Sequence, residues 1–189
     1  HLGKKATPLL ARAAENASAD YMVHLITTLG HIKDPAAIAP MMAIINTQPA
    51  DANIRQAVYE AMERIPSPKT AICLAQGLQD PVEAVRMSAA QAMDVTLSKP
   101  LVAGLKNIVR TRSPDARNAV AALIDAKSYN MISFLVQEPA FLFLAEKHIT
   151  TTADPDTRHA FLKKLAGLGL GELADTMAAK IKDQGSVKQ

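Results

Sequence analysis

The sequence predicts an all-α protein, an α-solenoid of about five antiparallel helix pairs. Three observations carry that expectation. A repeat with a period of 31 residues runs through the middle of the chain. Apolar residues recur at i, i+4 spacing on either side of short breaks, as on one face of a helix. Pro follows Asp or Ser at intervals where helices would begin. Hydrophobic residues make up 49% of the 189, yet aromatics only 4%, with no Trp. The core must therefore be built from Ala, Leu, Ile, Val and Met, and small Ala side chains let helices approach closely.

The repeat is read from three segments, "ANIRQAVYEAM", "EAVRMSAAQAM" and "DARNAVAALI". They place Arg55, Arg86 and Arg117 at steps of 31 residues. Val58, Ala89 and Val120 follow in the same register, as do Met62, Met93 and Ile124. A fourth copy, "PDTRHAFLKKL", puts Arg158 41 residues after Arg117, so about ten residues are inserted. Earlier in the chain, "DYMVHLITTLGHI" has Met22 in the Arg place. Each copy is preceded by another helical stretch carrying an apolar i, i+4 pair: Met41/Ile45, Leu74/Leu78 and Leu105/Val109.

Punctuation sets the helix count. Asp34-Pro35, Ser67-Pro68, Asp80-Pro81, Ser113-Pro114 and Asp154-Pro155 each read as an N-cap followed by Pro at the first helical position. The cap oxygen accepts an otherwise unpaired N–H, and Pro has no N–H to leave unpaired. Asp80-Pro81-Val82-Glu83 resembles a capping box. This gives ten to twelve helices and no strand. One pair cannot bury its own apolar stripe, so pairs must stack.

Residues 1–184 are expected to form a single repeat domain, regular over about 7–127 and irregular over 128–184, with 185–189 starting a linker or tail. The chain opens on His1 and closes on the polar "KDQGSVKQ", which suggests a piece of a longer protein. The net charge is +3, spread unevenly: residues 1–98 carry −1 and residues 99–189 carry +4. Such a bias is ordinary solvated surface unless a partner is shown. The one cysteine, Cys73, permits no internal disulfide and suits a reducing compartment. With no run long and apolar enough to span a bilayer and no signal-peptide pattern, a cytoplasmic location is expected.

"LGHIKDPAAIAPMMAII" and "LQDPVEAVRMSAAQAM" resemble HEAT repeats, and specifically the short bacterial, phycobilisome-lyase-like kind. The likeness lies in Asp-Pro at the turn, Val-Arg in the second helix, then spaced Ala and a Leu-Gly. It covers about residues 7–127 well and 138–184 loosely. Met22 replaces one Arg, and Leu-Gly survives clearly only at Leu29-Gly30. The resemblance implies an ARM-type superhelix in which the turn Asp and second-helix Arg form a polar ladder between neighbouring repeats. Carried residue by residue, that ladder is Asp80, Arg55, Arg86, Arg117 and Arg158, with Asp51 and Asp115 as further members. The side-chain chemistry agrees, since an Arg stem covers apolar surface while its planar fork reaches a carboxylate or a helix-end carbonyl. The resemblance also implies that the second helices line the concave face. A polar row there, Gln56, Glu60, Glu63, Met87, Gln91, Asp94, Asn118 and Asp125, falls opposite the apolar stripe and is a candidate interaction face; the bland alternative is a solvated acidic face.

No catalytic set is visible. His1, His24, His31, His148 and His159 form no His-Glu dyad and no familiar ligand spacing, so no metal or cofactor is expected. Cys73, between Ile72 and Leu74, reads as a buried inert thiol. Gly167, Gly169 and Gly171 follow a helix and not a strand, which marks a turn and not a phosphate loop. All four Phe lie between residues 134 and 161, where they either fill an uneven core or offer a docking point. The expected function is a non-catalytic protein-interaction scaffold, the regulatory module of a larger bacterial protein of signalling type. Its partner is another protein or an adjoining domain of the same chain. Two alternatives stand beside it: a nucleic-acid-binding protein resembling the HEAT-like DNA glycosylases, through Lys99, Lys106, Arg110, Arg112, Arg117 and Lys127, and a subunit assisting a chromophore lyase.

Overall fold

The computed structural model describes residues 2–151 and 153–186. Among them are twelve α-helices and no strand. In order they are α1 (Leu2–Ala14), α2 (Ala19–Ile32), α3 (Ile38–Asn46), α4 (Ala52–Arg64), α5 (Ala71–Gly77), α6 (Glu83–Val95), α7 (Lys99–Arg110), α8 (Pro114–Asp125), α9 (Tyr129–Leu135), α10 (Pro139–Thr151), α11 (Pro155–Gly167) and α12 (Gly171–Ser186). Short 3₁₀ turns, Pro35–Ala37 and Pro68–Thr70, lead into α3 and α5. Consecutive helices pack as pairs in α1/α2, α3/α4, α5/α6, α7/α8 and α11/α12. The even-numbered helices pack side by side along the molecule, α2 on α4, α4 on α6, α6 on α8, α8 on α10 and α10 on α12. This is the stacked helix-pair architecture of an all-α solenoid.

The 31-residue period fixes the register of the even helices. The N-caps Asp51, Val82 and Ser113 are spaced by it, and α4, α6 and α8 each begin one residue later. Val58, Ala89 and Val120 are fully buried, as are Met62, Met93 and Ile124. Leu74 and Leu105, also 31 apart, sit at 0% exposure in the odd helices. Each large apolar side chain withdrawn this way stabilises the array by about 1.5–3 kcal/mol. Because every such side chain is covered partly by the next pair, stability is shared between neighbours.

Two turns differ from the expected punctuation. Helix α6 starts at Glu83 with Val82 as a cap that makes no side-chain bond, so Asp80-Pro81 lies outside the helix and no capping box forms. Asp80 is instead turned toward α4, while its Oδ1 accepts the Val82 N–H at 2.9 Å. Asp34 and Ser67 cap the 3₁₀ turns and not α-helices. Ser113 and Asp154 cap α8 and α11, each with Pro at the helix start. Ser98 caps α7 by accepting from Leu101, and Asp51 caps α4.

The segment after α8 breaks the pattern. Helices α9 and α10 pack on α7 and α8 more than on each other. Ser128 Oγ donates to the Ala90 carbonyl in a buried 2.9 Å bond. Phe141 and Phe161 are fully buried, whereas Phe134 and Phe143 are about half exposed at 48% and 52%. The large side chains thus divide between core and surface. At the far end, α12 takes in residues 185 and 186 of the expected tail, and 187–189 lie outside the described residues.

Candidate interaction face

The expected polar ladder has one complete rung. Arg55 on α4 donates through Nε to Asp80 Oδ2 at 2.7 Å and through Nη2 to Oδ1 at 3.1 Å. Its Nη1 donates to the carbonyls of Pro49 and Ala50 at 2.6 and 3.0 Å. Every face of the guanidinium is used, and the Asp80 carboxylate holds it above the ordinary arginine pKa. Arg86 repeats half of this arrangement. Its Nη1 donates to the carbonyls of Asp80 and Pro81 at 2.8 and 3.0 Å. Its Nε is buried and has no acceptor. The residue 31 places after Asp80 is Thr111, whose hydroxyl donates to the Ile108 carbonyl.

Arg117 does not act as a ladder residue. It is exposed and makes no ion pair among the described residues. The cause is the length of α7. Helices α3 and α5 end with C-caps Thr47 and Leu78, in register, but α7 runs on to a C-cap at Thr111. Arg112 then adopts a left-handed φ of 51° directly before the α8 cap. The turn that offers two carbonyls to Arg55 and to Arg86 is consumed by this overrun. Arg158 likewise keeps a buried Nε without an acceptor, and no described carboxylate forms an ion pair with it.

The polar row lies along α4, α6 and α8 with three kinds of environment. On α4, Gln56 donates to Glu60 at 2.8 Å, and Glu63 is half-buried nearby in sequence. On α6, Gln91 is exposed, but Asp94 is engaged: Oδ1 accepts the Met131 N–H and Oδ2 the Asn130 amide, both at 3.0 Å. Asp94 thereby serves the irregular segment by binding the start of α9, a structural contact and not an open position. Met87, Asn118 and Asp125 converge on one cleft of about 350 Å³ between α6, α8 and α10.

That cleft also gathers residues outside the row: Glu83, Arg86, Arg117, Lys147 and His148, with Leu144 and the alanines of α8 as an apolar wall. His148 Nε2 lies 2.8 Å from Asp125 Oδ1. Lys147 is exposed and forms no ion pair among the described residues. Nothing in the repeat announces Lys147 or His148, because they follow the insertion that breaks the period. The cleft is a place for a polar or charged group to enter and hold. No described group of three or more His, Cys, Asp or Glu is placed to hold a metal ion.

Two other expectations meet their geometry here. Cys73 is buried at 2% exposure, and burial pushes its thiol up to about 11. The basic segment of the nucleic-acid alternative is partly neutralised. Glu138 Oε1 is 3.2 Å from Lys106 and 2.9 Å from Arg110, whose Nε donates to Oε2 at 2.9 Å. Arg112 lies over the Phe143 ring at 4.9 Å.

No described helix is long and apolar enough to cross a membrane. No curated protein matches the chain. Residues 6–94, from α1 through most of α6, match the family model of HEAT repeats. Repeats of this kind are commonly protein-interaction scaffolds and generally not enzymes. That match makes residues 6–94 similar to HEAT repeats, within an all-α solenoid of stacked helix pairs that runs on through the described residues.

Proposed function

We propose that the chain is a non-catalytic protein-interaction module, and that its partner docks across the even-helix face of α4, α6, α8 and α10. The partner is another protein or an adjoining domain of the same polypeptide. Residues 1–184 act as one repeat domain in this reading, a regulatory part of a larger cytoplasmic protein of signalling type, which the resemblance to short bacterial repeats supports. One observation carries the proposal: the row from Gln56 and Glu60 to Asn118 ends in a cleft that brings together charged side chains of three helices. Residues that served stability alone would not need to gather Arg86, Arg117 and Lys147 in one cleft with no ion pair to a described carboxylate. Nucleic-acid binding is less favoured, because Lys106 and Arg110 are committed to Glu138.

Photo-crosslinking residues at Gln91 and Asn118, with Ile72 on α5 as the control, test this in cells of the source organism. The expected result is one adduct of defined mass from the even-helix positions and none from Ile72. Equal labelling from both faces, or none from either, overturns the reading.

A further inference from the structure

We infer that the groove between α7 and α9 is a docking site for an acidic amphipathic helix of a protein partner. This is a second surface. Its lining shares no residue with the α6–α8–α10 cleft, and the inference does not rest on the face proposed above. Leu97, Val102, Ala103 and Phe134 line the groove together with Lys99 and Lys106, and its volume is about 430 Å³. Leu97 is 40% exposed and Phe134 48%. Single exposed apolar side chains are ordinary surface, but two large ones lining one depression with a Val and an Ala make a contiguous patch. The core does not need this side of α7, because Leu101, Leu105 and Val109 already fill the buried side.

Charge selects the occupant. The lining contains no carboxylate. Lys99 is exposed and forms no ion pair among the described residues. Lys106 and Arg110 share the single carboxylate of Glu138, at 3.2 and 2.9 Å. Three cations therefore stand against one anion, which favours an acidic partner. Spacing selects a helix. Lys99 and Lys106 are seven residues apart on α7, about 10 Å along its axis. Val102 and Ala103 come three and four residues after Lys99, so cation, apolar pair and cation follow one face of α7. A helix lying along α7 has the same rise per residue. It matches that order with Glu at i, Leu at i+3 and i+4, and Glu at i+7. A nucleic-acid backbone fits less well, because Glu138 repels a continuous row of phosphates and the apolar floor needs side chains to fill it. A lipid surface is met by apolar groups that project, whereas these line a depression.

The probe is a fluorescein-labelled, end-capped peptide of about 16 residues, long enough to form a helix. It carries the two Glu and two Leu at that spacing on an Ala/Gln host, and anisotropy reads its binding to the whole chain. Saturable binding is expected. Peptides with Gln for both Glu, or Ala for both Leu, should each bind about tenfold more weakly. Phe134→Ala alters a half-exposed side chain and Lys99→Glu an exposed one, and each should weaken binding by about the same factor. Lys69→Glu, exposed on the α4–α5 turn, should leave it unchanged. Of the two peptides with a single Glu→Lys change, one should recover affinity for Lys99→Glu, and which one gives the direction of the bound helix. The helix signal of each variant reports its folding; Lys99→Glu carries the test if Phe134→Ala fails to fold. No binding at millimolar peptide, equal binding of the Gln peptide, or undiminished binding to Lys99→Glu overturns the inference. So does tighter binding of phosphatidylserine vesicles or of a single-stranded oligonucleotide that Lys99→Glu abolishes.

Discussion

Arg55 and Asp80 form a two-point ion pair across 25 residues of sequence, joining α4 to the turn before α6. The side chains are only 13% and 10% exposed, so solvent screens the pair weakly. Removing Asp80 would leave a desolvated guanidinium with one edge unpaired. Asp80→Ala is therefore expected to cost about 3 kcal/mol. Arg55→Ala and Asp80→Ala combined should cost less than their sum, with a coupling of about 1–3 kcal/mol. Arg86→Ala, which gives up only carbonyl contacts, should cost about 1 kcal/mol. Urea unfolding followed by helix signal provides all four values. Strict additivity of Arg55 and Asp80 would show that the pair contributes geometry without energy.

Gly30 lets α2 pack tightly against α4. A Cβ built there would lie 2.9 Å from both Cα and Cβ of Ala61, and the Cα is backbone that cannot rotate away. Gly30→Ala should destabilise the protein by about 1–3 kcal/mol through overpacking. Adding Ala61→Gly should return part of that loss despite the lower helix propensity of Gly. Comparing the urea midpoints of the single and double variants checks this, and a double variant less stable than either single would count against the contact.

How far the sequence could be read follows from where the period holds. Arg55, Arg86 and Arg117 are identical in register, so spacing alone makes them equivalent. Their environments differ because α7 overruns its end, which turns Thr111 and Arg112 from acceptors into a helix terminus. Residue type carries no sign of that overrun: Thr and Arg suit a turn as well as a last helical turn. The Asp94 contact with the start of α9 is invisible for a related reason. It joins elements 37 residues apart, not 31. Lys147 and His148 follow the inserted residues, where periodicity no longer fixes the phase of α10 against α8. The core stripe was legible because burial repeats with the helix, and the site was only partly so because it is built where the repeat departs from itself.

Cys73 offers a probe of local opening on α5. Its thiol is buried, pushed up to about 11 by desolvation, and its backbone carbonyl accepts the Tyr59 hydroxyl at 3.2 Å. The thiolate fraction near neutral pH is then far below that of a free cysteine. Modification by a chromogenic disulfide at about pH 8 should be slow in native protein and immediate in urea. Asp80→Ala should speed it, because α5 leads into the turn that Asp80 anchors. Rapid labelling of the native wild type would contradict the burial.

Glu138 ties the irregular segment to α7, and its titration gives the tie a pH signature. The Arg110 guanidinium, and after it the Lys106 ammonium, hold the carboxyl below the ordinary glutamate value of 4.5. A depressed folded-state pKa means that the unfolded chain takes up the proton first as pH falls. The stabilisation is thus complete above the ordinary glutamate range and is lost as pH drops through the lowered native value. Glu138→Gln should unfold at lower urea than wild type at about pH 7. The gap should narrow below about pH 4.5 and close once the native carboxyl is protonated. Raised salt should shrink it less than for a surface pair, because Glu138 itself is 11% exposed, although Arg110 at 58% stays open to solvent. A gap that held constant from neutral to acid pH would assign the role of Glu138 to packing and not to charge.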